Sequence, residues 1–93
     1  MKNYEAEGEF HRYKSQGHDM AIKRDVLLGN IAWHTDHAKT HPESHADTDK
    51  LGAMLAQITT LEKQIDACLN RANEAATLAG WPIITRTALF LAN

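Results

Sequence analysis

Histidines are the residues of this 93-residue sequence whose spacing most directly suggests chemistry. His34, His37, His41 and His45 follow one another at intervals of three, four and four residues. On a continuous helix such intervals bring imidazoles to one face, where pairs of them bind zinc or nickel. Pro42 cannot continue a helix, so only the first three can share a face. These three are therefore the candidate metal ligands.

Two other interpretations of the histidine run stay open. One is a pH-responsive module, because neighbouring histidines titrate near physiological pH. The other is a solvated helix end, where the helix dipole favours a histidine side chain. Neither a cysteine partner nor a closed four-ligand spacing accompanies the run. The sequence therefore predicts no resident cofactor, with zinc or nickel as the alternative.

Aromatic and basic residues of the first 24 positions form a second candidate site. Aromatic faces stack on planar ligands, and lysine or arginine neutralises phosphates. If the start of the chain packs over the following helix, these groups converge at a subunit boundary and bind a small anionic ligand. The alternative is a core aromatic beside a solvated basic face. The residues concerned are Tyr13, Lys14, Lys23 and Arg24.

Trp33, Trp81 and Phe90 are candidates for contact with a partner protein. Tryptophan is frequent among the residues that anchor protein interfaces, although filling a core is an equal alternative for it.

Catalysis is not expected. The sequence lacks a Gly-x-Ser-x-Gly elbow, a glycine-rich phosphate loop and a His-Glu-x-x-His run.

Proline and glycine divide the chain, taken as a single domain (1–93), into segments that are mostly helical. We expect a short N-terminal arm helix (1–17) ending at Gly17, a second helix (19–40) and a linker (41–47). A long helix (48–80) follows and stops at Gly80, with Pro82 just beyond. The last segment (82–93) is too apolar to remain in water, so we expect it to dock as a tail.

The docking tail allows two local structures. A short helix capped by Thr85 would place Ile84, Ala88 and Leu91 on one side. A β-like extension is the alternative, given the neighbouring isoleucines and threonines.

The long helix carries an unbroken heptad seam, the pattern by which one helix packs along another as in a coiled coil. We expect the chain to associate through this oligomer seam, with a second copy or with another protein. Its first half is bulky and its second half is small. Small residues let helix backbones approach closely, so the partner helix should be nearest at the C-terminal end, or a tryptophan should fill the space. The seam consists of Leu51, Met54, Ile58, Leu61, Ile65, Cys68 and Ala72, and continues through Ala75 and Ala79.

Composition excludes several classes of function. Ten basic and twelve acidic residues are interspersed, with a formal charge of −2, so direct nucleic-acid binding is not expected. No apolar run reaches the roughly 18 residues of a membrane span, and glutamates stand where a signal peptide would be apolar. A single cysteine, Cys68, cannot form an intrachain disulfide, and we expect it to be a buried, inert thiol. We expect a cytoplasmic protein.

The layout of a short aromatic-bearing arm, a helix, a Pro42-Glu43-Ser44 linker and a longer helix resembles that of small phage counter-defence proteins. Some of those proteins assemble from helical hairpins and sequester cyclic nucleotide signals. The resemblance implies a sponge for a small anionic ligand at subunit boundaries, and it transfers no site residue.

The sequence as a whole predicts an all-α helical hairpin that assembles into an oligomeric helical bundle. A thin two-helix core benefits from burial between subunits. The expected function is non-enzymatic: an inhibitor or interaction module that blocks or adapts a partner protein. The anionic-ligand sponge and the histidine-based metal or pH-responsive module are the alternatives.

Overall fold

The computed structural model describes residues 3–91, which form three helices and no strand. Helix α1 spans Tyr4–Thr40, α2 spans Thr48–Ala79 and α3 spans Arg86–Leu91. The start of α1 packs against the end of α2, and α3 packs on both long helices. The predicted all-α hairpin is confirmed.

The helix ends follow from capping residues. The Asn3 side chain accepts a hydrogen bond from the Ala6 N–H, and the Asp47 side chain accepts one from the Lys50 N–H, both at 3.0 Å. At the other end of α2, Gly80 has a φ of 76°, the left-handed conformation that glycine adopts without strain. The predicted long helix therefore begins and ends where its capping signals stand.

Helix α1 is continuous through Gly17, so the predicted break between an arm helix and a second helix is absent. Gly17 is buried, and a β-carbon placed on it would lie 3.0 Å from Leu89 Cδ2 and 3.1 Å from Cys68 Cβ. The glycine permits close packing rather than a turn. Glycine costs a helix about 1 kcal/mol relative to alanine, and the close packing that Gly17 permits offsets this cost. Met1 and Lys2 of the predicted arm lie outside the described residues.

The heptad seam of α2, expected to lie between associating chains, is covered by α1 of the same chain. Every seam position is buried or half-buried. Helix α1 presents an equally regular seam, with alternating steps of four and three residues, at positions that are also buried or half-buried. The α1 seam consists of Ala6, Phe10, Tyr13, Gly17, Met20, Arg24, Leu27, Ile31, His34 and Ala38.

The alanine-rich end of α2 packs closely, as its small residues predict. Phe10 lies against Ala72, Ala75 and Ala76, and Trp81 packs over the same cluster. The Phe10 and Trp81 rings meet edge to face, with centroids 5.4 Å apart. Trp81 is therefore a half-buried side chain that packs on the core of its own chain.

Helix α3 docks on its own hairpin through a different face from the one predicted. Thr85 caps it, since its hydroxyl accepts a hydrogen bond from the Ala88 N–H at 3.1 Å. Leu89 is fully buried, whereas Ala88 and Leu91 are exposed. Ala92 and Asn93 of the predicted tail lie outside the described residues.

Two polar contacts fasten the segment that carries α3. The Asn73 amide donates to the Ile84 carbonyl at 3.0 Å and accepts from the Ile84 N–H at 2.8 Å. His18 Nδ1 donates to the Leu89 carbonyl at 2.9 Å. Both contacts use backbone groups that would otherwise be left without partners near the core.

The hairpin is long and thin, measuring 66 × 19 × 14 Å. Among residues 3–91, no helix is both long enough and apolar enough to cross a bilayer.

Candidate functional site

Tyr13 is the centre of a cationic cluster on the surface. Its hydroxyl accepts hydrogen bonds from Arg12 Nη2 on its own helix, at 3.0 Å, and from Arg71 Nη1 on α2, at 3.2 Å. Both guanidinium groups also lie over the phenol ring, 4.7 and 5.5 Å from its centroid. We call these three residues the Tyr13 cluster.

The Tyr13 cluster shifts the ionisation of its own members. The hydrogen bond from Arg71 lowers the pKa of the Tyr13 phenol, with a smaller contribution from Arg12 in the same direction and partial desolvation opposing both. The same hydrogen bond raises the pKa of Arg71. The two cations therefore favour negative charge at the phenol oxygen, as they would favour a bound anion.

The other predicted ligand-binding residues do not join this cluster within one chain. Lys14 lies over the Phe10 ring at 5.7 Å. Lys23 and Arg24 stand about 15 Å further along α1, at roughly 1.5 Å per residue. Of the four residues expected to converge, only Tyr13 takes part in the cationic cluster.

Arg24 belongs to a second, charge-compensated cluster. Its Nε lies 2.9 Å from Glu62 Oε1, a contact without the alignment of a hydrogen bond, and its Nη1 lies 2.7 Å from Asp25. Arg86 of α3 pairs with the same glutamate oxygen and with Asp66, both at 2.6 Å. Three carboxylates thus neutralise two guanidinium groups.

Phe90 lies within this second cluster rather than free for a partner. The Arg24 and Arg86 guanidinium carbons each stand 5.0 Å from the centroid of its ring. Phe90 is half-buried and helps to attach α3 to α1. In this chain, the predicted partner residue has a structural contact.

Trp33 is placed very differently from Trp81. It is 60 % exposed, and its ring stacks on His37 with centroids 5.0 Å apart and planes 12° apart. His34 meets the same ring edge-on at 4.9 Å. The indole is therefore held in place without being buried.

The histidine rings stack instead of converging on one point. The His37 and His41 rings lie 4.2 Å apart, with planes 18° apart, and His41 Nδ1 donates to the His37 carbonyl at 3.1 Å. Within residues 3–91, no group of three His, Cys, Asp or Glu side chains is arranged to hold a metal ion. His34, His37 and His41 do not form the predicted three-ligand set in this arrangement.

Cys68 is buried beneath α3, and the burial raises the pKa of its thiol. A thiol that stays protonated is a poor nucleophile and a poor metal ligand. This agrees with the structural role predicted for it.

An open, mostly apolar groove runs between α1 and α2 on the loop side of the α3 contact. Its volume is about 490 Å³. Ile22 and Val26 rise at its edge, 50 % and 57 % exposed, while Leu27 and Leu61 are half-buried. The residues that line this open groove are Ile22, Lys23, Val26, Leu27, Gln57, Thr60, Leu61 and Gln64.

Sequence reasoning missed Arg12, Ile22 and Val26. For Arg71 it allows two roles, an ion pair with Glu74 or contact with an anionic ligand, and it does not connect Arg71 with Tyr13. A signal for Arg71 existed, because it is the only base in the small-residue half of α2. Its pairing with Tyr13 depends on the register of the hairpin, which the α2 seam alone does not specify.

The chain matches no known protein family, and comparisons with curated proteins and with solved structures return no significant match.

Proposed function

We propose that this chain is a non-enzymatic helical interaction protein that assembles with itself and blocks or adapts a partner protein. The single observation that carries the proposal is Trp33. A tryptophan that is 60 % exposed yet held by stacking against His37 is a rigid apolar surface that contributes little to its own fold. Ordered, exposed aromatic side chains are suited to anchoring an interface because little conformational freedom is lost on binding.

The surroundings of Trp33 support the same proposal. We call residues 22–64 the loop half of the hairpin. Met54 is its one buried residue. The loop half also contains five exposed large apolar side chains, namely Ile22, Val26, Leu28, Trp33 and Leu55. Exposed large apolar side chains above a thinly buried core are typical of a surface that another molecule covers.

Affinity capture with matched variants tests the partner. Tagged wild-type chain, Trp33→Ala and Leu78→Ala are each incubated with an extract of the source cells, after circular dichroism has shown equal helicity. Leu78 is the control because it is 67 % exposed and lies at the other end of the hairpin. We expect a protein retained by the wild type and Leu78→Ala and lost with Trp33→Ala. Equal retention by all three, or by none, contradicts the proposal.

A second candidate function, sequestration of a small anionic ligand, is favoured by the Tyr13 cluster. Among the described residues, every ion pair involves Arg24 or Arg86, and neither Arg12 nor Arg71 has a carboxylate within 4.0 Å. Each guanidinium uses one donor on Tyr13 and has others available for an anion.

Thermal shift measurements with cyclic and linear nucleotides test this second candidate. We expect a rise in melting temperature that Tyr13→Phe and Arg71→Gln abolish. Lys23→Gln is the matched control, since it removes an exposed cation that lies outside the Tyr13 cluster. No shift with any nucleotide, or a shift lost equally in Lys23→Gln, excludes the Tyr13 cluster as the site.

A further inference from the structure

The open groove has both exposed and half-buried apolar side chains along its lining. Ile22 and Val26 project from its rim, while Leu27 and Leu61 form a recessed apolar surface beside them. Projecting and recessed apolar groups thus occur on one surface. A two-fold dimer needs this combination, because each copy must supply both sides of the contact.

The charge of the groove also suits self-contact. Lys23 is the only charged residue in its lining, and the remaining polar residues are the neutral Gln57, Thr60 and Gln64. Pairing two such surfaces buries no carboxylate, and the long lysine side chain can keep its ammonium group at the solvent edge. Burial of unpaired charge, which would oppose association, is therefore avoided.

The area of the chain exceeds what a compact monomer exposes. Its accessible surface is 6496 Å² for a mass of 10.4 kDa, whereas compact monomers of this mass expose about 5,400 Å². The excess of about 1,100 Å² is larger than the roughly 800 Å² that each partner buries in a standard interface. Its radius of gyration, 17.7 Å, likewise exceeds the roughly 12 Å of a compact domain of this length.

We infer that a second copy of this chain occupies the open groove, with Ile22 and Val26 of each copy packing against Leu27 and Leu61 of the other in a two-fold symmetric bundle. The inference rests on the proposed function, because it identifies the surface through which the interaction protein assembles. Trp33 is not in the groove lining, so it stays available for a different partner.

Sedimentation equilibrium across a range from low to high micromolar concentration tests the inference. We expect the wild-type chain to dimerise, and Val26→Glu to raise the dissociation constant by about 100-fold or more, because the symmetric contact carries each introduced charge twice. Ile22→Glu should act in the same direction. Glutamate is a good helix former at both exposed positions, and circular dichroism checks that each variant keeps its helicity.

Leu78→Glu is the matched control, since Leu78 is an equally apolar and exposed residue far from the groove. It should leave the dissociation constant unchanged within about threefold. A wild-type chain that stays monomeric throughout the range overturns the inference. So does a dimer that is insensitive to both groove variants, or one that only Leu78→Glu disrupts. A monomeric chain would overturn self-assembly in the proposed function together with this inference. The Trp33→Ala capture experiment tests partner binding at a different residue, so that part of the proposed function fails or stands separately.

Discussion

A single missing β-carbon, at Gly17, determines how closely α1 approaches both of its neighbours. An alanine methyl group at this position would lie only 3.0 Å from Leu89 Cδ2 of α3 and 3.1 Å from Cys68 Cβ of α2, closer than ordinary van der Waals contact. Leu89 is completely buried, so its side chain has little room to move away, and Cys68 Cβ is attached to the α2 backbone. Close approach here follows from one residue rather than from a long small-residue stripe on α1.

Gly17→Ala should therefore destabilise the fold even though alanine is the better helix former. Overpacking of a tight contact typically costs about 1–3 kcal/mol, which exceeds the gain of about 1 kcal/mol in helix propensity. Denaturant unfolding followed by circular dichroism measures the difference. Gly8→Ala is the control in the same helix, because nothing lies within 4 Å of the added methyl group. It should stabilise by about 0.5–1 kcal/mol, and a stabilising Gly17→Ala would contradict the predicted packing.

Tyr13 makes stability depend on alkaline pH in a defined direction. Arg71 lowers the pKa of its phenol in the folded chain, so between that pKa and the ordinary value near 10 the unfolded chain binds the extra proton. The free energy of unfolding of the wild type, compared with that of Tyr13→Phe, should therefore increase as the pH rises through this window. The added stability should disappear as the pH falls below the pKa of Tyr13 in the folded chain. The titration of Tyr13 is measured by tyrosinate absorbance, as the difference between the wild-type curve and the Tyr13→Phe curve.

Arg71→Gln tests the cause of that shift. Removing the principal hydrogen-bond donor should move the Tyr13 titration upward, towards the ordinary value. An unchanged Tyr13 titration would show that Arg71 does not contact the phenol in solution.

At the scale of elements, the short helix α3 depends on contacts made by the segment before it. Asn73 both donates to and accepts from the backbone of Ile84, and this places the following turn so that Leu89 enters the core. A six-residue helix is too short to be stable without such tertiary contacts.

Asn73→Ala should destabilise the chain by about 1–3 kcal/mol, because two part-buried backbone groups lose their partner. The loss should be greatest in α3, and hydrogen exchange of the Leu89 and Phe90 amides measures it. Asn70→Ala is the control, since Asn70 is exposed and lies one helical turn earlier in α2. Equal effects of the two substitutions would contradict a tethering role for Asn73.

The sequence indicated α2 far better than α1 for a physical reason. The α2 seam is apolar throughout, so its period is visible in the sequence. The equally regular α1 seam includes Gly17, Arg24 and His34, which an apolar pattern does not register. Glycine is common at helix ends, so the sequence predicted a break at Gly17. Its actual role, close packing against Leu89, depends on a residue 72 positions away and has no local signal.

Candidate-site residues were predictable individually but not as groups. Tyr13 and Arg24 were recognised by type, yet they belong to two different clusters, and their main partners come from α2 and α3. Hairpin register and the docked face of α3 decide those groupings. Both depend on tertiary contacts such as Asn73 with Ile84, which have no local sequence signal.

The whole molecule has an uneven core. The two largest fully buried side chains, Ile65 and Leu89, lie outside the loop half, in which Met54 is the only buried residue. Helix α3 adds a third layer to one half of the hairpin, and the loop half remains a two-helix layer. Local stability follows the number of buried apolar contacts, so the two halves should differ in how easily they open.

Hydrogen exchange on the Val26→Glu variant should show this difference directly. Amides of the loop half should exchange at least about tenfold faster than α2 amides after Ile65, a ratio equivalent to about 1.4 kcal/mol of local stability. In the wild-type chain at high concentration, a second copy in the open groove should slow exchange in the loop half and leave the end of α2 unchanged, because binding stabilises only the surface that it covers. If amides along both long helices of the variant were equally protected from exchange, the two-helix layer of the loop half would be stable without a second copy. Covering the open groove would then not be needed to stabilise the loop half.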